Sequence, residues 1–427
     1  MSHHDEGYDP SSDAFDVFNR AMGAGVVRDP YPTFARLRAQ APVHRARVSE
    51  LFGLSGELEP VASETGVYYT ALSYDAVTQV LLDGETFSSR GYAASVGLVM
   101  GHSILEMDEP EHFRYRSLIQ QAFGPRPMER WEADLVGPVV DDCIDRFADR
   151  GRADLVRELT FPFPLRVIAG MLGLADADFA RFHRLAVELI SITVNPERGF
   201  TASQELRDYF ATLLAERRRA PRDDLVSVLA EAELDGQRLE DEEIFAFLRL
   251  LLPAGAETTY RSSSNLLLAL LTDPAQLEVV RRDRTLIRRA VEEGLRWEPP
   301  LVGIARKVTR DTVVDGVAVP AGAVIGVCLG AANRDPARWE NPDRFDVFRE
   351  PRQHMAFAYG PHTCLGMHLA RMETRVMLNA VLDRLPGLRL DPAAEDVHIT
   401  GLAFRAPLSP HFSPSQPNTV NNGAGQR

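Results

Sequence analysis

The sequence predicts a mainly α protein with a small β-rich lobe, an α+β fold, on three observations. Ten segments between Pro32 and Leu385 repeat apolar residues at helical spacing. Strand-like runs are short and fewer. The 427 residues are 45% hydrophobic with no obvious interior linker, so one large domain over residues 15–408 is expected, with ample core. The flanking segments 1–14 and 409–427 are polar and turn-rich and are expected to be disordered.

In chain order, the periodicity predicts helices over Pro32–Gln40, Tyr74–Leu82, Pro110–Phe123, Met128–Ala148, Asp176–Ile192 and Ala202–Arg219. Four more follow over Asp241–Leu271, Pro274–Arg281, Leu286–Arg296 and Met367–Leu385. Strands are expected at Gly66–Thr70 and Ala323–Val327, with a hairpin at Thr312–Val319 turning on Asp315-Gly316. The acidic stretch Val48–Glu64 matches no periodic pattern and is expected to be a solvent-facing loop.

A net charge of −14 disfavours nucleic acid as a partner. No run of about 18 apolar residues suggests a membrane anchor, and the polar start shows no signal peptide. Three cysteines make no disulfide framework and fit a reducing cytoplasm, the expected location.

One cysteine stands apart. Cys364 lies in Phe357-Ala-Tyr-Gly360-Pro-His362-Thr-Cys364-Leu-Gly366, directly before a helical run. Gly360 and Gly366 allow a tight turn around the sulfur, and the positive end of the following helix is expected to lower the thiol pKa. Such a loop suits a metal held by one thiolate. Cys143 and Cys328 read instead as small buried hydrophobes. A zinc site on His362 and Cys364 lacks the clustered partner pair that structural zinc requires.

A second constellation is Ala254-Gly255-Ala256-Glu257-Thr258-Thr259, inside the long apolar helix. Thr258 is placed to bond the Ala254 carbonyl four residues back, and Pro253 removes a helix hydrogen bond, so a distorted helix with a local groove is expected. Glu293 and Arg296, three apart, share one helical face.

Together these motifs resemble the cytochrome P-450 family, from about residue 29 to about residue 407. The loop resembles its Phe-x-x-Gly-x-His/Arg-x-Cys-x-Gly signature, with Ala358 where the family most often has Gly. The resemblance implies the P-450 fold, a single large haem domain. It also implies haem b (iron protoporphyrin IX), with Cys364 as axial ligand and Phe357 and Gly366 shaping the loop. His112, Arg116, Arg306 and His362 stand at positions that hold the haem propionates. Glu257 and Thr258 match the catalytic acid–alcohol pair that relays protons. Glu293 and Arg296 match a structural triad completed from Pro342-Asp-Arg344-Phe345.

The implied activity is a monooxygenase using dioxygen on a hydrophobic small molecule, in a chain expected to be monomeric. Electrons are expected from a ferredoxin and a ferredoxin reductase, docking near Arg114, Arg126, Arg371 and Arg375. A peroxide-using peroxygenase is one alternative, disfavoured by the intact Glu257-Thr258 pair. A non-catalytic haem sensor or ligand carrier is another.

Overall fold

Helical spacing becomes helix almost wherever it occurs in the sequence. In the computed structural model, which describes residues 27–54, 60–190, 192, 195–394, 396–407 and 411–413, helices form at Tyr31–Gln40, Tyr74–Leu82, Glu111–Gln120, Asp176–Ile190 and Pro196–Arg219. They continue at Pro274–Arg282, Ile287–Trp297 and Met367–Arg384. The expected terminal segment 1–14 lies outside the described residues. Of 409–427 only His411–Ser413 are described, and they form a strand pairing antiparallel with Arg389–Leu390 and Ala153–Asp154.

The helix Pro162–Met171 escaped the sequence reading because two prolines precede its apolar run. Both sit in the first turn, where no backbone N–H is required. Leu225–Glu231 escaped because it is short. It starts at Asp224, whose carboxylate accepts from Ser227 N at 2.8 Å.

The β lobe is a five-stranded sheet ordered Val43–His44, Tyr68–Ala71, Val324–Cys328, Gly303–Val308, Phe87–Ser88. Tyr68–Ala71 and Val324–Cys328 run parallel, joining segments more than 250 positions apart. The hairpin Thr312–Val314 to Val317–Val319 turns on Asp315 and Gly316 with φ of 45° and 82°. Positive φ at both central residues is the twist-matched two-residue turn.

The 48–64 segment corrects its expectation. Residues 55–59 lie outside the described set, but Val61 is fully buried beside Tyr92, and Phe52 packs edge-on against Phe34 at 5.2 Å. Apolar residues spaced irregularly through an acidic stretch find separate clusters, which a periodicity search does not register.

The longest helical pattern, 241–271, forms the centre of the larger core as Asp241–Leu251, a π-helical turn Leu252–Glu257, and Thr258–Thr272. Its start is closed reciprocally by Glu240 and Glu243. No helix among the described residues is long and apolar enough to cross a membrane.

Candidate functional site

The Cys364 loop is held by its own backbone. Cys364 N donates to Phe357 O at 2.9 Å, and Thr363 N and Oγ1 donate to Gly360 O at 3.0 and 2.7 Å. Gly360 has φ of 74°, and a Cβ there would lie 2.5 Å from Leu81 O, so no other residue fits. Ala358 also takes a left-handed conformation, φ 56°, at a cost of about 1–2 kcal/mol for a residue with a side chain. The Phe357 ring lies under the Arg371 guanidinium, 4.5 Å from ring centre.

Cys143 and Cys328 are buried as expected, whereas Cys364 is exposed. Desolvation nevertheless raises the Cys364 thiol pKa, against the opposing pull of the Gly366 N–H, Arg116 and Arg371. The expected lowering is therefore overturned. The exposed thiol thus lies within electrostatic reach of two cations, Arg116 and Arg371. Among the described residues no cluster of three or more His, Cys, Asp or Glu could hold a metal ion, so the zinc reading has no further ligands.

Three segments bring four residues together: His112 and Arg116 from the helix Glu111–Gln120, Arg306 from the strand Gly303–Val308, and His362 from the Cys364 loop. The His112 and His362 rings stack at 4.0 Å, and His362 Nε2 lies 3.2 Å from Ser89 Oγ. Burial, and then the charges of Arg306, His112 and Arg116, push the His362 pKa down to about 3. Desolvation also lowers the pKa of Arg306 and of Arg116. His112 Nδ1 faces Glu109 at 3.0 Å, but its Nε2 is buried without a hydrogen-bond partner. A group of two guanidiniums and two imidazoles with an orphan nitrogen is shaped for an anion.

On the central helix, Thr258 Oγ1 donates to Ala254 O at 2.8 Å, as the spacing predicts. The distortion is a π-turn at Leu252–Glu257, consistent with the hydrogen bond that Pro253 removes. Ala254 is exposed in the middle of this otherwise buried helix, one turn from half-buried Thr258. Glu257 is buried, and Arg261 Nε donates to its Oε1 at 3.2 Å. Desolvation raises Glu257 to about 7 despite that arginine.

The buried triad also needs a correction. Glu293 accepts from Arg296 Nε and Nη2 at 2.7 and 2.8 Å, and the third member of the triad is Arg349, with Nε at 3.1 Å. Arg344 contributes only its backbone carbonyl, which accepts from Arg296 at 3.1 Å. The turn from Asn341 to Asp346 brings Arg349 back over Glu293, which proximity to the Pro-x-Arg-Phe signature did not reveal.

The four arginines expected on a docking face are mostly committed elsewhere. Arg114 is paired with Glu243, Arg371 with Glu292 at 2.6 Å, and Arg375 with Glu132 at 2.6 Å. Burial opposes the Glu292 charge, yet His354 and Arg371 hold its pKa down to about 2. Arg126 is exposed. Arg371 and Arg375 instead share a surface groove with Arg288, Arg289 and His368.

Two buried groups escaped the sequence reading. Glu373 is buried on the helix Met367–Arg384, where desolvation raises it to about 8 against a hydrogen bond from Thr259. Its signal was an acid within the apolar i, i+4 stripe of Leu369 and Met377. Arg249 is the other, a cation in the most apolar stretch of the central helix.

Comparison with known proteins agrees with this geometry. A family model for cytochrome P-450 matches residues 168–386. The chain is 36% identical over 384 residues to the cytochrome P-450 monooxygenase PikC of Streptomyces venezuelae, covering 87% of each chain. It is 35% identical over 340 residues to a steroid C26-monooxygenase of Mycobacterium tuberculosis, covering 78% of this chain and 90% of the relative. The crystal structure of CYP109E1 from Bacillus megaterium in complex with testosterone superposes with a TM-score of 0.81 at 30% identity, over 91% of this chain and 100% of that one. A thiol-bearing loop, a π-turned central helix and near-full-length similarity to bacterial monooxygenases place this chain in the cytochrome P-450 family, as a haem-dependent monooxygenase.

Proposed function

We propose that this chain uses haem b, whose iron Cys364 would hold, to insert one oxygen atom from dioxygen into a hydrophobic small molecule. Electrons would come from a ferredoxin and its reductase. The observation that carries the reading is the exposed Cys364 thiol, held in a loop closed on Phe357 and Gly360 and within electrostatic reach of Arg116. The bound haem supplies reductive activation of dioxygen. This chain's residues do the rest.

Gly366 N–H and the start of the helix Met367–Arg384 stabilise the thiolate, and Phe357 shields it. A Cβ on Gly366 would meet no protein atom within 4 Å, which leaves that side clear for a flat macrocycle. His112, Arg116, Arg306 and His362 would hold the two propionates, and a carboxylate there would satisfy the unpartnered His112 Nε2. The Thr258 hydroxyl donates its proton to Ala254 O, which would turn its lone pairs, as a hydrogen-bond acceptor, toward the side where dioxygen is activated. Glu257, with its pKa raised to about 7, takes up a proton near neutrality and passes it toward that hydroxyl. In the groove of Arg288, Arg289, His368, Arg371 and Arg375, which Glu292 also lines, Arg289, Arg371 and Arg375 are paired with carboxylates, so Arg288 is the positive charge it offers an acidic electron donor. The named relatives include a steroid monooxygenase and a testosterone complex, which support an apolar substrate of about steroid size.

The test is spectral and then catalytic. The reduced protein with carbon monoxide should give the thiolate-type absorption band, and Cys364→Ser should lose it. Thr258→Ala should keep that band while diverting electrons to peroxide. Full coupling in Thr258→Ala, or turnover with hydrogen peroxide but none with ferredoxin and reductase, would overturn the proposal.

A further inference from the structure

Arg249 is a buried cation without an anion. Its Nε donates to Phe245 O on its own helix at 3.2 Å, and its Nη1 donates to Ser203 Oγ at 3.0 Å on the helix Pro196–Arg219. Ser203 Oγ in turn donates to Val99 O in the short helix Val96–Met100. Gly101 follows so closely that a Cβ there would lie 2.7 Å from Arg249 Nη2. Three elements thus meet around one guanidinium that is 7% exposed.

Among the described residues no carboxylate is ion-paired with it. Glu242 and Arg207 act on it with opposite signs, and they are paired with each other. Nη2 has no hydrogen-bond partner among the described residues. Of the other deeply buried arginines, Arg306 also has no ion-paired carboxylate among the described residues, but it belongs to the anion-shaped group with His112, Arg116 and His362. Arg217, Arg261, Arg296 and Arg405 each contact a carboxylate, of Asp224, Glu257, Glu293 and Glu298 respectively. A buried charge is costly unless paired, so this position calls for an anion from outside the chain.

Its place in the fold says which anion. Four residues lead from Arg249 to Pro253, and the wider π-turn leads from there to Thr258. The two positions therefore lie on neighbouring flanks of the helix, separated along its axis by roughly 13 Å at about 1.5 Å per residue. A planar guanidinium suits a carboxylate.

We propose that Arg249 anchors a carboxylate at one end of the substrate, so that the substrate is an amphipathic acid oxidised near Thr258, roughly 13 Å from its charged end. This rests on the monooxygenase reading above and narrows its substrate class. Arg249 is then a specificity-determining residue that touches substrate but not the reacting carbon.

The experiment titrates the full haem-loaded ferric chain with dodecanoate and with dodecanol, following the spin shift of the haem band. Dodecanoate should bind about tenfold or more tightly than dodecanol. Arg249→Gln should weaken dodecanoate by about tenfold or more and leave dodecanol within about twofold, and Arg249→Lys should retain part of the preference. If Arg249 is only a strut between Ser203 and Phe245, both ligands weaken together, and the proposal fails. Equal affinity for the two ligands in the unaltered chain, or no shift with dodecanoate, also overturns it. The thiolate-type carbon monoxide band, recorded on each sample, separates these failures from failure of the monooxygenase reading, which would remove the band itself.

Discussion

Two buried glutamate–arginine pairs, close in sequence spacing, show how differently the same chemistry can be used. Glu293 receives Arg296 twice, Arg349 once and the Asp346 N–H at 2.9 Å, so donors surround its carboxylate. Glu257 receives a single hydrogen bond from Arg261, at 3.2 Å, and desolvation lifts it to about 7. Both acids are almost wholly buried. A saturated carboxylate fixes structure, whereas an under-served one keeps a proton to exchange near neutrality.

The sharpest way to break this comparison is to remove both acids in turn. Glu293→Ala leaves Arg296 and Arg349 buried without their anion and should cost about 3–5 kcal/mol, read by denaturant unfolding and by loss of haem retention. Glu257→Gln should instead retain haem and fold while lowering product formation by about 10²–10⁴-fold, measured as product per electron pair consumed. A Glu257→Gln chain that unfolds like Glu293→Ala would erase the distinction.

Stability against pH sharpens it further. Glu257 and Glu373 have folded pKa values of about 7 and about 8, raised from 4.5. The folded state therefore binds more protons than the unfolded chain between pH 4.5 and these values. Their stabilising contribution is complete below 4.5 and is lost as pH rises through about 7 and about 8. The loss is on the order of 3 kcal/mol for Glu257 and on the order of 5 kcal/mol for Glu373. Glu257→Gln and Glu373→Gln should each flatten the fall in unfolding free energy between mildly acidic and mildly alkaline buffer. A slope unchanged in both variants would contradict the assigned burial.

The smallest effect concerns Arg261, whose charge lowers the Glu257 pKa. Arg261→Gln should move the deprotonation limb of the pH–rate profile upward, by up to about one unit for an interaction near 1.4 kcal/mol. A limb that stays in place would mean that Glu257 does not control the rate.

Much of this was legible because local rules and local function coincide. Pro253 and Thr258 act within one turn of helix, so the distortion follows from the sequence. Gly360 is required by a backbone clash with Leu81 that only folding creates, yet glycine itself signalled the tight turn. The ligand-loop motif exposed Cys364, while Cys143 and Cys328, without such a motif, are buried. Arg349 was missed because nothing local links it to Glu293, 56 positions away. Arg114, Arg371 and Arg375 looked free because their partners lie 79 to 243 positions away.

The sequence by itself determined the helical character, the hairpin at Asp315-Gly316, the Cys364 loop and the Thr258 hydrogen bond, since each depends on backbone geometry over a few residues. Only the tertiary structure decided which charges are spent and which remain available. Burial sets the protonation of Glu257, Glu373 and His362, and it leaves Arg249 without an anion. Those properties come from desolvation by distant segments, and desolvation has no period that a sequence can display.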